Sequence, residues 1–343
     1  MICLLLLFAV FSNPTNGFLI TGIVAPTFTP LNSEGNLDVS LIPAHAAFLN
    51  QSNVKWIFSA GSTGESVDLT VEERKLLAEA WVNISPKYNM SVIVHVGADS
   101  VVNAAEMAAH AESIGVQAIA AMPPTYIRPS TIGALVATVK KIADAAPKTP
   151  FYYYHIPSKT GVNFLMSNFV QLADLQIQNF RGIKFTHYAL DDFQLSFDYV
   201  FKTGPAWRIG QNVNMLFGRD QFLLAAVAYG CHGAVGTTYN FNAHLQRFVL
   251  DASITGDYVS ARIAMKATAN LIKEITILEE TVVNGAYVWK MIAKAVGLNV
   301  GPARLPYIEP TQEGVDAVEK MLKSWCKTLI EKMSPPWCST IKH

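Results

Sequence analysis

The chain has 343 residues, of which 51% are hydrophobic and 15% charged, enough apolar material for a large core. Its 26 basic and 26 acidic side chains cancel. There is no basic stripe, aromatic-interleaved Lys/Arg patch or zinc-type cysteine pairing. That argues against nucleic acid as a partner and gives no electrostatic pull toward acidic membranes.

Taken in order, the chain opens with an apolar run, Cys3 to Phe11, followed by the polar break Ser12-Asn13-Pro14-Thr15-Asn16-Gly17. The run is too short to span a bilayer and predicts a cleavable secretory leader over residues 1–17, although no basic residue follows Met1. Asn50, Asn83 and Asn89 stand in N-x-S sequons, which fits a secreted product. Cleavage would leave Cys231, Cys326 and Cys338, of which only Cys326 and Cys338 look free to pair. An odd count argues against a disulfide scaffold.

From Phe18 onward, short β-rich runs alternate with stretches whose apolar residues recur at three- and four-residue spacing. Strands are expected at Leu19–Val24, Trp56–Ser59, Val92–Val96, Ala118–Ala121, Phe151–Tyr154, Gly182–Lys184, Trp207–Ile209 and Gly233–Gly236. Helices are expected to begin near Ser40, Thr70, Ser100, Thr131, Met166, Leu190, Gly218 and Asn242; Thr70 with Glu73 forms a capping box. Eight strand–helix units at roughly 25- to 36-residue spacing predict an α/β fold, a (β/α)8 TIM barrel over residues 18–256. A doubly wound sheet is disfavoured, because the first strand runs into Ala25-Pro26-Thr27-Phe28-Thr29-Pro30 rather than a glycine-rich phosphate turn. Residues 257–330 carry only helical patterns, such as Ala261–Leu278 and Gly285–Val296, and predict a C-terminal helical extension followed by a tail, 331–343.

In such a barrel chemistry sits where the strands end. Strand six ends at Lys184, after a run that holds the apolar Ile177 and Phe180 and then Gly182-Ile183. A lysine buried there tends to lose its proton, and a neutral amine in a dry pocket attacks a ketone to form a Schiff base. Strand five ends in Tyr152-Tyr153-Tyr154-His155-Ile156-Pro157; side chains alternate, so one tyrosine must face inward beside the lysine, where its phenol can relay a proton. Strand two ends in Ser59-Ala60-Gly61-Ser62-Thr63-Gly64-Glu65. Its turns either offer N–H groups and hydroxyls to a carboxylate or cap the next helix. Strand seven leads to Gly218-Arg219-Asp220-Gln221 and strand eight to Gly236-Thr237-Thr238-Tyr239-Asn240. His95 is expected to be a core residue. His187, His232 and His244 share no metal-ligand spacing, and Asp191-Asp192 suits a helix start, so neither a metal nor a cofactor is expected.

Gly61-Ser62-Thr63-Gly64-Glu65, Tyr154-x-Ile156-Pro157 and Gly182-Ile183-Lys184, in this order, resemble the N-acetylneuraminate lyase and dihydrodipicolinate synthase superfamily. Within it, Phe151 to Pro157, Lys184-Phe185, Gly233 to Asn240 and Gly301-Pro302-Ala303-Arg304-Leu305-Pro306 are similar to the lyase branch. The resemblance implies a class I aldolase acting on a small-molecule substrate, N-acetylneuraminate, with release of pyruvate and N-acetylmannosamine. It implies Lys184 as the Schiff-base lysine, Tyr154 as proton relay, and Ser62 and Thr63 as carboxylate ligands. Gly218, Asp220, Gln221 and Thr237 match positions that bind the polyol tail, and a homotetramer is implied.

The chain departs from the lyase pattern at three positions. Gln221 stands where lyases carry glutamate, Thr237 replaces serine, and Lys159 occupies a position that is uncharged in lyases and arginine in the synthases. These departures bear on substrate identity. They keep in view a related 2-keto-acid aldolase or synthase-like enzyme, and a barrel that binds sialic acid without turning it over.

Overall fold

Eight parallel strands close into a barrel, each hydrogen-bonded to the next and the last to the first. The structure, a computed structural model, describes residues 18–206, 208–283 and 287–341. The expected leader therefore lies outside the described residues. The strands are β1 (Gly22–Pro26), β2 (Trp56–Ser59), β3 (Ser91–His95), β4 (Ala118–Ala121), β5 (Phe151–His155), β6 (Phe180–Phe185), β7 (Asn214–Phe217) and β8 (Gly233–Val235). The helices that return between them are α1 (Ile42–Gln51), α2 (Val71–Ile84), α3 (Val101–Ser113), α4 (Ile132–Ala143), α5 (Met166–Gln176), α6 (Leu190–Phe197), α7 (Leu223–Ala228) and α8 (Tyr239–Ile254). This is the expected TIM barrel.

Alternation along the strands sorts side chains into two cores. Val24, Phe58, Ile93, Tyr152, Tyr154 and Leu216 fill the barrel interior. The opposite set, including Tyr153, Ile183 and Phe217, packs against the helices. Tyr153 stacks on Phe169 of α5 with ring centroids 4.6 Å apart, while its neighbours turn inward. At the base of the barrel the Asn214 side-chain oxygen accepts from the Tyr152 hydroxyl at 2.6 Å and from the Ile20 N–H at 2.8 Å.

Strand seven corrects the sequence expectation. Trp207 lies outside the described residues, and Arg208 to Gly210 form a turn, not a strand. Arg208 is fully buried. Its guanidinium donates to the Ile177 and Phe180 carbonyls at 3.0 and 2.6 Å and pairs with Asp174 at 3.0 Å, which ties the turn under β6. The true strand begins at Asn214, whose inward amide disguised an otherwise apolar run. Gly182 admits it: a Cβ there would lie 2.0 Å from the Asn214 carbonyl oxygen.

Beyond the barrel come α9 (Tyr258–Thr281), α10 (Tyr287–Ala295) and α11 (Gln312–Thr328). The expected Ala261–Leu278 segment lies inside α9, and the start of the second expected segment, at Gly285, is outside the described residues. Cys326 at the end of α11 is joined to Cys338, with Cα atoms 5.6 Å apart. Trp325 and Trp337 stack across this link, and the Trp337 indole donates to the Phe241 carbonyl at 2.6 Å, fastening residues 325–338 to α8. No helix of the described residues is long and apolar enough to cross a membrane.

Candidate active site

Lys184 ends its inward run opposite Tyr154, its registered partner on β5. Its ammonium nitrogen lies 3.8 Å from the Phe58 ring centroid and 4.0 Å from that of Tyr154. The side chain is almost wholly buried, and burial lowers its pKa to about 7 against the opposing pull of Asp220. Near neutral pH a substantial fraction of the amine is therefore nucleophilic. The two ring faces would also flank a cationic iminium formed on it.

Burial raises the Tyr154 phenol above its ordinary value, and the hydroxyls of Ser62 and Thr186 pull it part of the way back. The phenol thus stays protonated at neutral pH, 3.3 Å from the Ser62 hydroxyl. Behind it stands His95, buried as expected. Its Nδ1 lies 2.9 Å from the Ala60 carbonyl oxygen and its Nε2 accepts from the Met122 N–H at 3.3 Å, a pairing that fits the neutral ring. Burial and the nearby Arg74 hold His95 well below the usual histidine range. The imidazole meets the Tyr154 ring edge-on at 5.7 Å, which braces the phenol.

The Gly61–Glu65 turn follows β2 directly. Gly61 sits against the Phe58 ring, where a Cβ would approach to 2.7 Å, and a Cβ on Gly64 would lie 2.9 Å from the Thr27 carbonyl oxygen. Small residues are therefore needed on both sides of Ser62 and Thr63. The Thr63 hydroxyl reaches across to the Thr237 hydroxyl at 2.8 Å, linking the loops after β2 and β8. Of the two readings of this turn, helix capping falls to Thr70, which closes a reciprocal box with Glu73 at the start of α2.

Asp220 sits deeper than its sequence neighbours. One carboxylate oxygen accepts from the Thr238 N–H at 2.9 Å and from the Thr238 hydroxyl at 2.6 Å, and burial raises its pKa. Gly236 makes the room, since a Cβ there would lie 2.2 Å from that carboxylate. Likewise a Cβ on Gly218 would fall 1.9 Å from the Thr186 hydroxyl oxygen.

Ser62, Thr63, Tyr154, Lys184, Gly218, Asp220, Gln221 and Thr237, the eight residues singled out from the sequence, all line one cleft of about 700 Å³ at the barrel mouth. The same cleft is lined by groups beyond these eight. Thr186 was within reach, because it lies two residues beyond Lys184 and so on the same face. Arg219 stacks over the Tyr188 ring at 4.2 Å. Glu279 of α9 and Trp289 of α10 join them, with the indole donating to the carboxylate at 2.7 Å. Burial raises the Glu279 carboxyl above its ordinary value, and the Trp289 indole and then the charge of Lys159, exposed on the rim, pull it part of the way back. Asp192 accepts from the N–H groups of Met166 and Ser167 at 2.7 and 2.9 Å, capping α5. Among the described residues no three His, Cys, Asp or Glu side chains converge to hold a metal ion.

Residues 19–325 match the family described as the dihydrodipicolinate synthetase family. The N-acetylneuraminate lyase of Xenopus tropicalis is 36% identical over 308 residues, covering 89% of this chain and 96% of the frog protein. The human N-acetylneuraminate lyase is 34% identical over 306 residues, covering 89% and 92%. The solved N-acetylneuraminate lyase of Aliivibrio salmonicida superposes with a TM-score of 0.80 at 31% identity, covering 90% of this chain and 97% of that one. With a match that spans barrel and extension alike, and a lysine poised for Schiff-base chemistry, the chain belongs to the dihydrodipicolinate synthetase family of pyruvate-dependent class I aldolases and lyases.

Proposed function

We propose that this enzyme reversibly cleaves N-acetylneuraminate to pyruvate and N-acetylmannosamine. The observation that carries the reading is the Lys184 amine, buried between Phe58 and Tyr154 and brought near 7. The relatives named as lyases, 33 to 37% identical, support the choice of substrate.

The neutral Lys184 amine adds to the C2 ketone of the open-chain sugar acid, and water leaves to give a protonated Schiff base. Ser62 and Thr63 hold the adjoining carboxylate. The C3–C4 bond breaks, its electron pair moving into the iminium to form an enamine, while the C4 hydroxyl gives up its proton. Tyr154 relays that proton, passing its own to the substrate carboxylate as it takes the new one. N-acetylmannosamine departs as the aldehyde; protonation at C3 and hydrolysis then free pyruvate and restore the amine. The groups of Gly218, Gln221 and Thr237 line the space left for the polyol tail, and Asp220, held by Thr238, ties together the two loops that carry them.

Lys159 bears on the alternative, a partner substrate with a second carboxylate. Lys159 and Glu279 line the same cleft, so the rim presents both signs of charge to a partner substrate. A coupled assay for pyruvate released from N-acetylneuraminate tests the proposal. Trapping of pyruvate on Lys184 by borohydride without N-acetylneuraminate cleavage would leave only the wider aldolase class, and sugar binding without any adduct would leave a binding protein.

A secretory location is proposed alongside, supported by the Cys3–Phe11 run and the Cys326–Cys338 disulfide, since disulfides persist in oxidising compartments. A tetramer is also proposed. The nearly fully exposed Tyr126 and Ile127 after β4 give it apolar surface to bury, and light scattering of the purified protein tests it.

A further inference from the structure

The chain holds three N-x-S sequons, and all three fall at one pole of the barrel. Asn50 and Asn83 are the penultimate residues of α1 and α2, and Asn89 lies two residues before β3 in left-handed backbone at φ 51°. Because the helices run back against the strands, these connections face the strands' N-terminal ends. The cleft opens at the opposite ends, a strand length of about 17 Å away or more. All three asparagines are exposed. Among the described residues none has a side-chain hydrogen bond that a glycan would break. The loops around the mouth carry no sequon at all.

A second feature is independent of the sequons. The Cys326–Cys338 link marks a chain matured under oxidising conditions. The third cysteine is kept out of that chemistry: the Cys231 thiol donates to the Gly233 carbonyl at 2.9 Å, and burial pushes it up to about 12. Among the described residues, one closed disulfide and one partly buried thiol suit the compartment in which asparagine-linked sugars are added.

We infer that the chain carries asparagine-linked oligosaccharides at Asn50 and Asn89, on the closed pole, leaving the catalytic mouth uncovered. The inference rests on the secretory reading given above. Asn83 is left bare, because Pro86 directly after Ser85 biases that serine to extended backbone in the nascent chain. A glycan is bulky and solvating, so its place at the pole shields α1, α2 and their turns without obstructing the substrate.

The test is expression of the full chain from Met1 in mammalian cells, with the medium digested by peptide-N-glycosidase F in heavy-oxygen water. The expected result is a secreted band that drops in mass in two steps, with labelled aspartate at positions 50 and 89 and asparagine unchanged at 83. Asn50→Gln and Asn89→Gln each remove one step, and pyruvate release from N-acetylneuraminate stays within about twofold of wild type. Ser52→Ala and Ser91→Ala remove the same steps with the asparagines in place, which separates a lost glycan from a misfolded variant. A secreted band of unchanged mass overturns the inference and leaves the secretory reading intact. Retention in the cytosol without modification overturns both, and a labelled residue 83 with none at 50 or 89 overturns the site assignment.

Discussion

Glu65 and Lys290 form a buried ion pair at 2.7 Å that joins the Gly61–Glu65 turn to α10 of the C-terminal extension. Glu65 holds a left-handed backbone conformation, φ 53°, and Lys290 also donates to the Thr29 and Pro302 carbonyls at 2.9 and 2.6 Å. Arg304 adds a second tie, pairing with Glu73 and donating to the Asp68 carbonyl at 2.7 Å. The extension thereby sets where Ser62 and Thr63 stand. Lys290→Met leaves a buried carboxylate unpaired and is expected to cost about 3–5 kcal/mol in urea unfolding. The double variant with Glu65→Gln recovers part of that loss. The KM for pyruvate in the condensation direction rises about tenfold or more, because the turn loosens.

Lys184 governs two pH dependences. Its amine must be neutral to attack, so kcat/KM climbs with pH to about 7 and levels off above it. In the unfolded chain the same lysine keeps its proton to about 10.4. Between those values the unfolded state binds more protons than the folded one, so stability rises with pH across the window. The cost is complete below about 7 and gone above the unfolded value. Lys184→Met is therefore expected to be more stable than wild type at neutral pH, by on the order of a few kcal/mol, and to form no borohydride-trapped adduct. Urea unfolding and intact-mass spectrometry check the two halves.

Tyr154→Phe separates the steps. The amine keeps both ring faces, so pyruvate is still trapped on Lys184. The proton relay is lost, and cleavage of N-acetylneuraminate falls by about 10²–10⁴ in kcat. An adduct lost together with activity would instead make the phenol part of the amine's own activation.

Gly236→Ala tests the seat of Asp220. The new methyl would lie 2.2 Å from the carboxylate, which is tied to Thr238 and must give way. Overpacking of this kind costs about 1–3 kcal/mol. With Asp220 displaced, the opposing pull on Lys184 weakens, and the pH midpoint of kcat/KM moves down. A midpoint that stays in place while activity falls would limit Asp220 to holding the loop.

Lys159→Met asks whether the rim lysine reads a substrate carboxylate. Because the lysine is exposed to solvent, the expected change in KM for N-acetylneuraminate is less than about threefold. A loss of about a hundredfold confined to an aldehyde partner bearing its own carboxylate would favour the synthase-like reaction.

The barrel was legible because period-two and period-3.6 apolar patterns survive in the linear chain, and because β–α alternation leaves few topologies. Strand seven differs from the expectation for a local reason: its first residue is Asn214, a polar group turned inward to bind Tyr152, whereas Arg208 belongs to a turn and buries only its own side chain. All eight site candidates stood within a few residues of strand ends, where the fold itself directs chemistry to one mouth.

The barrel, its extension and the short set of residues able to meet at the strand ends can all be read from the linear chain. Tertiary structure alone decided that Lys184 lies between two ring faces, that Asp220 is spent on Thr238, that His95 braces Tyr154, and that Lys290 crosses to Glu65. Each of these depends on groups far apart in the chain that meet only when the barrel closes and the extension packs against it. Burial, which lowers the lysine's affinity for its proton, exists only once those distant neighbours have excluded water.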